Sequence, residues 1–247
     1  IYSFPWRPRR NEEFVGLSKK QARDITGGPL PEFFPRSDDT DKNRAANLAD
    51  GDKYLKVIQD AAGDGEVVGE DLGCVPDYVR PNMQDLGIAG FKVCHWEVRG
   101  HGETVPGSDY PECAFATYAT HDHESIPAMW NTLKGMLGGH DHDGAIRGLE
   151  LLSDFGGLPK GGSADCYSDY GPVVKWALFD RLLKSNADYA SLMITDIIDS
   201  TERINIPGTV GGKNWRFRLP WKLEDMPEPL QGECSRLREL IHTSGRG

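Results

Sequence analysis

Four short apolar runs, each bounded by glycine or by polar residues, predict buried strands at residues 66–69, 90–96, 114–120 and 191–198. Helical spacing fills the intervals. It predicts helices over 41–62, over 76–86 with Gly87 as a stop, over 125–137 before Gly138 and Gly139, and over 173–184 before Asn186. Residues 138–144 and 156–163 are rich in glycine and polar residues and read as loops. Parallel strands need long crossovers, so strands alternating with helices predict a parallel α/β sheet. An open doubly wound sheet would commonly carry a phosphate loop. Neither Gly-x-Gly-x-x-Gly nor Gly-Lys-Ser/Thr occurs, which favours a (β/α)8 TIM barrel. In a barrel the C-terminal strand ends converge on one mouth, and three of the four runs end in polar residues. The first 60 or so residues supply no convincing strand, so the chain reads as half a barrel.

Charge and composition narrow the partners. The 247 residues carry 38 acidic and 28 basic side chains, a formal net charge of −10. That balance repels phosphate backbones, and the basic cluster at residues 7–10 is too short to line a groove, so no nucleic-acid partner is expected. No run approaches the roughly 20 apolar residues of a spanning helix. The greasiest stretch, 190–198, is interrupted by Thr195 and Asp196, and no membrane partner is expected. Five cysteines at wide spacings, without a Cys-x-x-Cys pair, argue against a zinc or dithiol centre and fit a reducing compartment, the cytoplasm. The sequence starts at Ile1 with no basic-then-apolar leader, and we expect the natural chain to continue upstream.

The chemistry concentrates where the runs end. Glu70 and Asp122 both follow apolar runs, so a barrel would aim both into its mouth. Paired carboxylates there suit acid/base work on a glycosidic bond. Helix capping or pairing with arginine would explain each equally well. Five ordered segments add specificity: Glu70-Asp71-Leu72-Gly73, Gly87-Ile88-Ala89-Gly90-Phe91-Lys92-Val93, Thr120-His121-Asp122, Glu202-Arg203-Ile204-Asn205-Ile206-Pro207-Gly208-Thr209, and Asn214-Trp215-Arg216-Phe217-Arg218. Together they resemble the 4-α-glucanotransferases known as amylomaltase or disproportionating enzyme, barrel relatives of the α-amylases. The resemblance runs from about Phe4 to Met226.

This resemblance implies strands 5 to 8 of the barrel and transfer of α-1,4-glucan segments between maltooligosaccharides, with no cofactor and no metal. It implies Glu70 as general acid/base and Asp122 as stabiliser of the oxocarbenium-like transition state, with His121 at the same subsite. Asn205 and Pro207 would belong to the wall receiving the glucan. Trp130 is a candidate stacking platform, although its helical spacing with Ile126, Leu133 and Leu137 equally places it on a core face. The nucleophile of the retaining double displacement belongs to an Arg-x-Asp-His segment, which these 247 residues do not contain. The chain therefore reads, over 1–247, as the C-terminal half of one catalytic barrel domain, inactive alone, with two exposed strand edges. His123-Glu124 departs from the family's usual residues after Thr-His-Asp and leaves acceptor or donor preference open.

Rival readings remain. His121, His123, His140 and His142, interleaved with Asp122, Glu124, Asp141 and Asp143, could start a metal centre of a barrel hydrolase. Asp141, Asp143, Gly144 and Glu150 partly fit a calcium-loop frame whose first position, Gly139, lacks a ligand. A solvated loop explains both clusters more simply. A non-catalytic α-glucan-binding remnant is the third alternative.

Overall fold

A computed structural model describes residues 20–21, 37–161 and 163–247. The Ile1–Trp6 segment and the basic cluster at 7–10 lie outside them. The chain divides into two compact units, residues 1–89 and 90–247.

In the first unit, helix α1 spans Asp41–Ala62, the range its periodicity predicts. The Thr40 side chain accepts a hydrogen bond from the Asn43 backbone N–H, and Gly63 ends the helix at φ +59°. Strand β1 is only Val68–Gly69 and helix α2 is Val79–Asp85. Their small core gathers Val79, Met83 and Ile88 against Leu55, Val67 and Tyr78. The end of the Met83 side chain packs directly on Gly69, where a Cβ would meet Met83 Cε at 2.6 Å and Ile88 Cγ2 at 3.3 Å. Within this unit the Ala89 N–H donates to Val67 O at 3.1 Å.

The second unit contains the parallel sheet. Strand β2 (Ala89–Val93) pairs with β3 (Ala114–Thr117), and β3 with β4 (Tyr189–Ser191), all parallel. Phe91, Phe115 and Tyr189 occupy one register line, with ring centroids 4.8 and 6.2 Å apart. Helices α3 (Ile126–Met136), α4 (His142–Gly156) and α5 (Pro172–Leu183) fill the crossover from β3 to β4, α4 packing on both its neighbours. A short helix α6 (Ile194–Ile197) follows β4, and α7 (Gln231–Thr243) closes onto α5. One core runs through these layers, built on Tyr118, Trp130, Leu149, Leu152, Leu178, Phe179 and Leu182.

Two expectations need correction. The fourth strand is Tyr189–Ser191 rather than 191–198, because the apolar run turns helical at Ile194. The Asp196 carboxylate causes this: it accepts from the Met193 N–H at 3.3 Å, closing a turn that an extended strand could not make. Residues 142–144 belong to α4 and not to a loop. Gly144 and Gly148 weaken the local helical signal, but Gly148 is needed for contact, since a Cβ there would lie 2.8 Å from Leu133 of α3. The calcium frame fails too, because Asp143, Gly144 and Glu150 lie within helix α4, which cannot wrap a cation as a loop does.

Candidate active site at the end of β3

The site grows out of a turn that ends β3. The Thr117 hydroxyl donates to Ala119 O at 2.8 Å, diverting the chain from the ladder. Four residues later the His123 N–H closes onto Thr120 O at 3.0 Å. The Thr120 N–H points at His123 Nδ1 (3.2 Å), and the Thr120 hydroxyl lies 2.8 Å from the same nitrogen. His121 and Asp122 therefore sit at the tip of a turn cross-braced from within. This is the position the sequence pattern assigned to them, at the C-terminal end of a parallel strand.

A second segment reaches the same turn from far along the chain. Asn205 Nδ2 donates to Asp122 Oδ1 at 2.6 Å, Arg203 Nη2 donates to Asp122 O at 2.7 Å, and the Asn205 N–H donates to His121 O at 3.1 Å. His121 Nε2 stands 3.3 Å from Asp122 Oδ1. Asp122 Oδ2 accepts no hydrogen bond among the described residues, and the side chain is half-buried. What holds the second segment is the corner at α3. Ser125 caps that helix, its hydroxyl accepting from the Ala128 N–H and donating to Ser200 O at 2.6 Å, while Asp196 Oδ1 accepts from the Ile126 N–H at 2.7 Å. The first turn of α3 thus carries the Asp122 turn on one side and anchors the approach to Asn205 on the other.

Two exposed indoles flank the turn, and neither was assigned a role from sequence. Trp96 is 47% exposed with its ring centroid 4.9 Å from that of His123, edge-on. Trp215 is 62% exposed and lies 5.0 Å from the His121 ring. Exposed tryptophan beside a polar turn is the signal, and only folding reveals it. Behind Trp96, His95 is buried, and burial, reinforced by His123, lowers it to about 4, so it is neutral at neutral pH. A cleft of about 530 Å³ opens along residues 201–217, lined by Arg203, Ile206, Asn214 and Phe217 among others.

The family model for 4-alpha-glucanotransferase matches residues 29–224, well over half of the chain. The chain belongs to the 4-alpha-glucanotransferase family. Relatives with that name include one from Chlamydia trachomatis, 25% identical over 166 residues that cover 64% of this chain and 29% of that protein. Another, from Thermus thermophilus, is 26% identical over 207 residues, 80% of this chain and 36% of that protein. The chain thus spans about a third of the length of the curated relatives it matches. Among solved structures, the amylomaltase from Streptococcus agalactiae in complex with acarbose aligns over 80% of this chain and 35% of its own, with TM-score 0.56 and 20% identity. That likeness shows the fold: the parallel sheet and its crossover helices are part of the amylomaltase (β/α)8 barrel.

Measured against this family, the structure gathers Asp122, His121 and Asn205 into one cluster. Pro207 stands exposed two residues beyond Asn205, where Gly208 at φ +75° turns the loop. Glu70 is exposed just past β1, in the other compact unit, and makes no hydrogen bond or ion pair among the described residues. Its neighbour Asp71 is buried and bound by Arg80 at 2.7 Å. Trp130 is not a platform. It is 1% exposed, packed in the core, and its indole N–H donates to Ser168 O at 3.0 Å. No group of three or more His, Cys, Asp or Glu side chains able to hold a metal occurs among the described residues. His142 Nδ1 is instead engaged by Leu137 O at 2.6 Å. No helix among the described residues is long and apolar enough to cross a membrane.

Proposed function

We propose that this chain carries the acid/base and transition-state-stabilising residues of a 4-α-glucanotransferase that moves α-1,4-glucan segments between maltooligosaccharides by double displacement. The observation that carries the reading is the Asp122 carboxylate, fixed by Asn205 at 2.6 Å on a braced strand-end turn, in a chain of this family. A carboxylate held in place before the reaction, with one oxygen free, stabilises positive charge as it develops on the sugar without reorganising at that moment. His121 and Asn205 supply donors to sugar hydroxyls, and Pro207 forms part of the wall around the glucan. Glu70 protonates the departing glycosidic oxygen and later takes the proton of the acceptor hydroxyl.

Double displacement also needs a nucleophilic carboxylate. The Arg-x-Asp-His segment that would supply it is not among the 247 residues, so we assign turnover to a longer chain and glucan binding without transfer to this one. On that reading the chain is the C-terminal half of one catalytic barrel domain. None of its five cysteines is in a disulfide, which supports a cytoplasmic setting.

The test uses both forms. In a chain that includes the upstream segment, Glu70→Gln should abolish disproportionation of maltotriose while leaving maltoheptaose affinity within about twofold. Substantial remaining transfer would overturn the assignment of Glu70, and transfer by the 247 residues alone would overturn the division of labour.

A further inference from the structure

We propose that Trp215 is a sugar-stacking platform: it binds the C–H face of an α-1,4-linked glucose unit next to Asp122 and so helps set which glucans this site accepts. The inference rests on the glucan reading above and deepens it. Trp215 has φ +59°, a left-handed conformation that a bulky side chain rarely adopts. Its surroundings impose that conformation. The Trp215 N–H donates to Ile204 O at 2.8 Å, bringing the chain back beside the segment that holds Asp122. Asn214 closes the intervening loop, its Oδ1 accepting from the Ile206 N–H at 3.1 Å and its Nδ2 donating to Thr209 Oγ1 at 2.9 Å. Gly211 and Gly212, both at positive φ, fold the loop back.

All this built structure leaves the indole in water. Trp215 is 62% exposed, and its ring contact among the described residues is the His121 imidazole, 5.0 Å away and tilted 40°. Burial is the favourable fate of so large an apolar surface, so a strained and exposed indole calls for a ligand that covers it. The neighbouring groups specify that ligand. Asp122 Oδ2, Asn205 and His121 offer acceptors and donors beside a flat apolar face, which suits a ring with hydroxyls at its rim and C–H bonds on its face. A glucose unit of a maltooligosaccharide is such a ring.

The experiment measures binding of maltoheptaose to the 247-residue chain by calorimetry, with thermal unfolding of each variant alongside. Trp215→Gly should weaken binding about tenfold or more yet unfold no earlier than the wild type, because glycine accepts the positive φ. Trp215→Phe should bind within about threefold of the wild type, since it keeps a ring face. If Trp215→Gly binds like the wild type while Asp122→Asn weakens binding, the platform is refuted and the glucan reading stands. If Trp215→Gly unfolds earlier and Trp215→Phe loses binding as well, Trp215 is structural and the platform is refuted. If the wild type does not bind maltoheptaose, both readings fall.

Discussion

Asp196 offers the sharpest physical test of how the site is held. Its carboxylate is 1% exposed and accepts from the Ile126 and Met193 N–H groups, joining the start of α3 to the corner after β4. Burial, above all, raises it from 3.8 to about 6. The two backbone donors and Lys175 oppose that rise, while the Asp199 carboxylate adds to it. Lys175 is itself engaged with Ile197 O and Asp199. The sign follows from linkage. Below pH 3.8 the carboxyl is protonated in both states and costs nothing. Between 3.8 and 6 the unfolded chain ionises first and the fold loses stability, and above 6 the loss is complete. The gap between 3.8 and about 6 corresponds to about 3 kcal/mol. Asp196→Asn removes that term, keeps an oxygen for the Ile126 N–H, and sacrifices the acceptor of the 3.3 Å bond, worth about 1 kcal/mol. The variant should therefore be about 1–2 kcal/mol more stable than the wild type at pH 8 and slightly less stable at pH 4. Urea unfolding followed by tryptophan fluorescence at several pH values measures the difference directly. A stability difference that stays constant from pH 4 to 8, or that favours the wild type more as pH rises, would refute the reasoning.

Other expectations are quicker to check. Trp130→Ala empties a core site and should cost about 3–5 kcal/mol in urea unfolding, with whatever folded protein remains binding maltoheptaose normally. Ser125→Ala loses both the helix cap and the bond to Ser200 O, and should cost about 1–2 kcal/mol while weakening glucan binding through displacement of the Asn205 segment. Exhaustive chelation should leave maltoheptaose affinity unchanged in calorimetry, because the groups proposed to bind sugar are Asp122, His121, Asn205 and Trp215.

How far the sequence could be read depended on the range of the forces involved. Helix α1 emerged with its observed ends because Thr40 and Gly63 cap it locally. Helix α4 did not, because two glycines weaken its local signal and only packing against Leu133 explains Gly148. The strand-end position of Asp122 is visible in the pattern, and the chemistry we propose for it in the Thr-His-Asp motif. The ambiguity at Trp130 was real, since helical spacing alone cannot say whether an aromatic face meets protein or solvent. The structure resolves it in favour of the core.

The sequence by itself therefore determined the α/β alternation, the parallel arrangement, the family and the main candidate residues, because period, capping and short motifs are local properties of the chain. Only the tertiary structure decided which distant groups meet. Asn205 closes on Asp122 across 83 positions, Ser125 on Ser200 across 75, and Asp196 on Ile126 across 70. The same folding turned the end of the fourth apolar run into helix α6 and left Trp215 strained and exposed beside His121. Such juxtapositions depend on loop closure and on the burial of polar groups, and no local pattern records either.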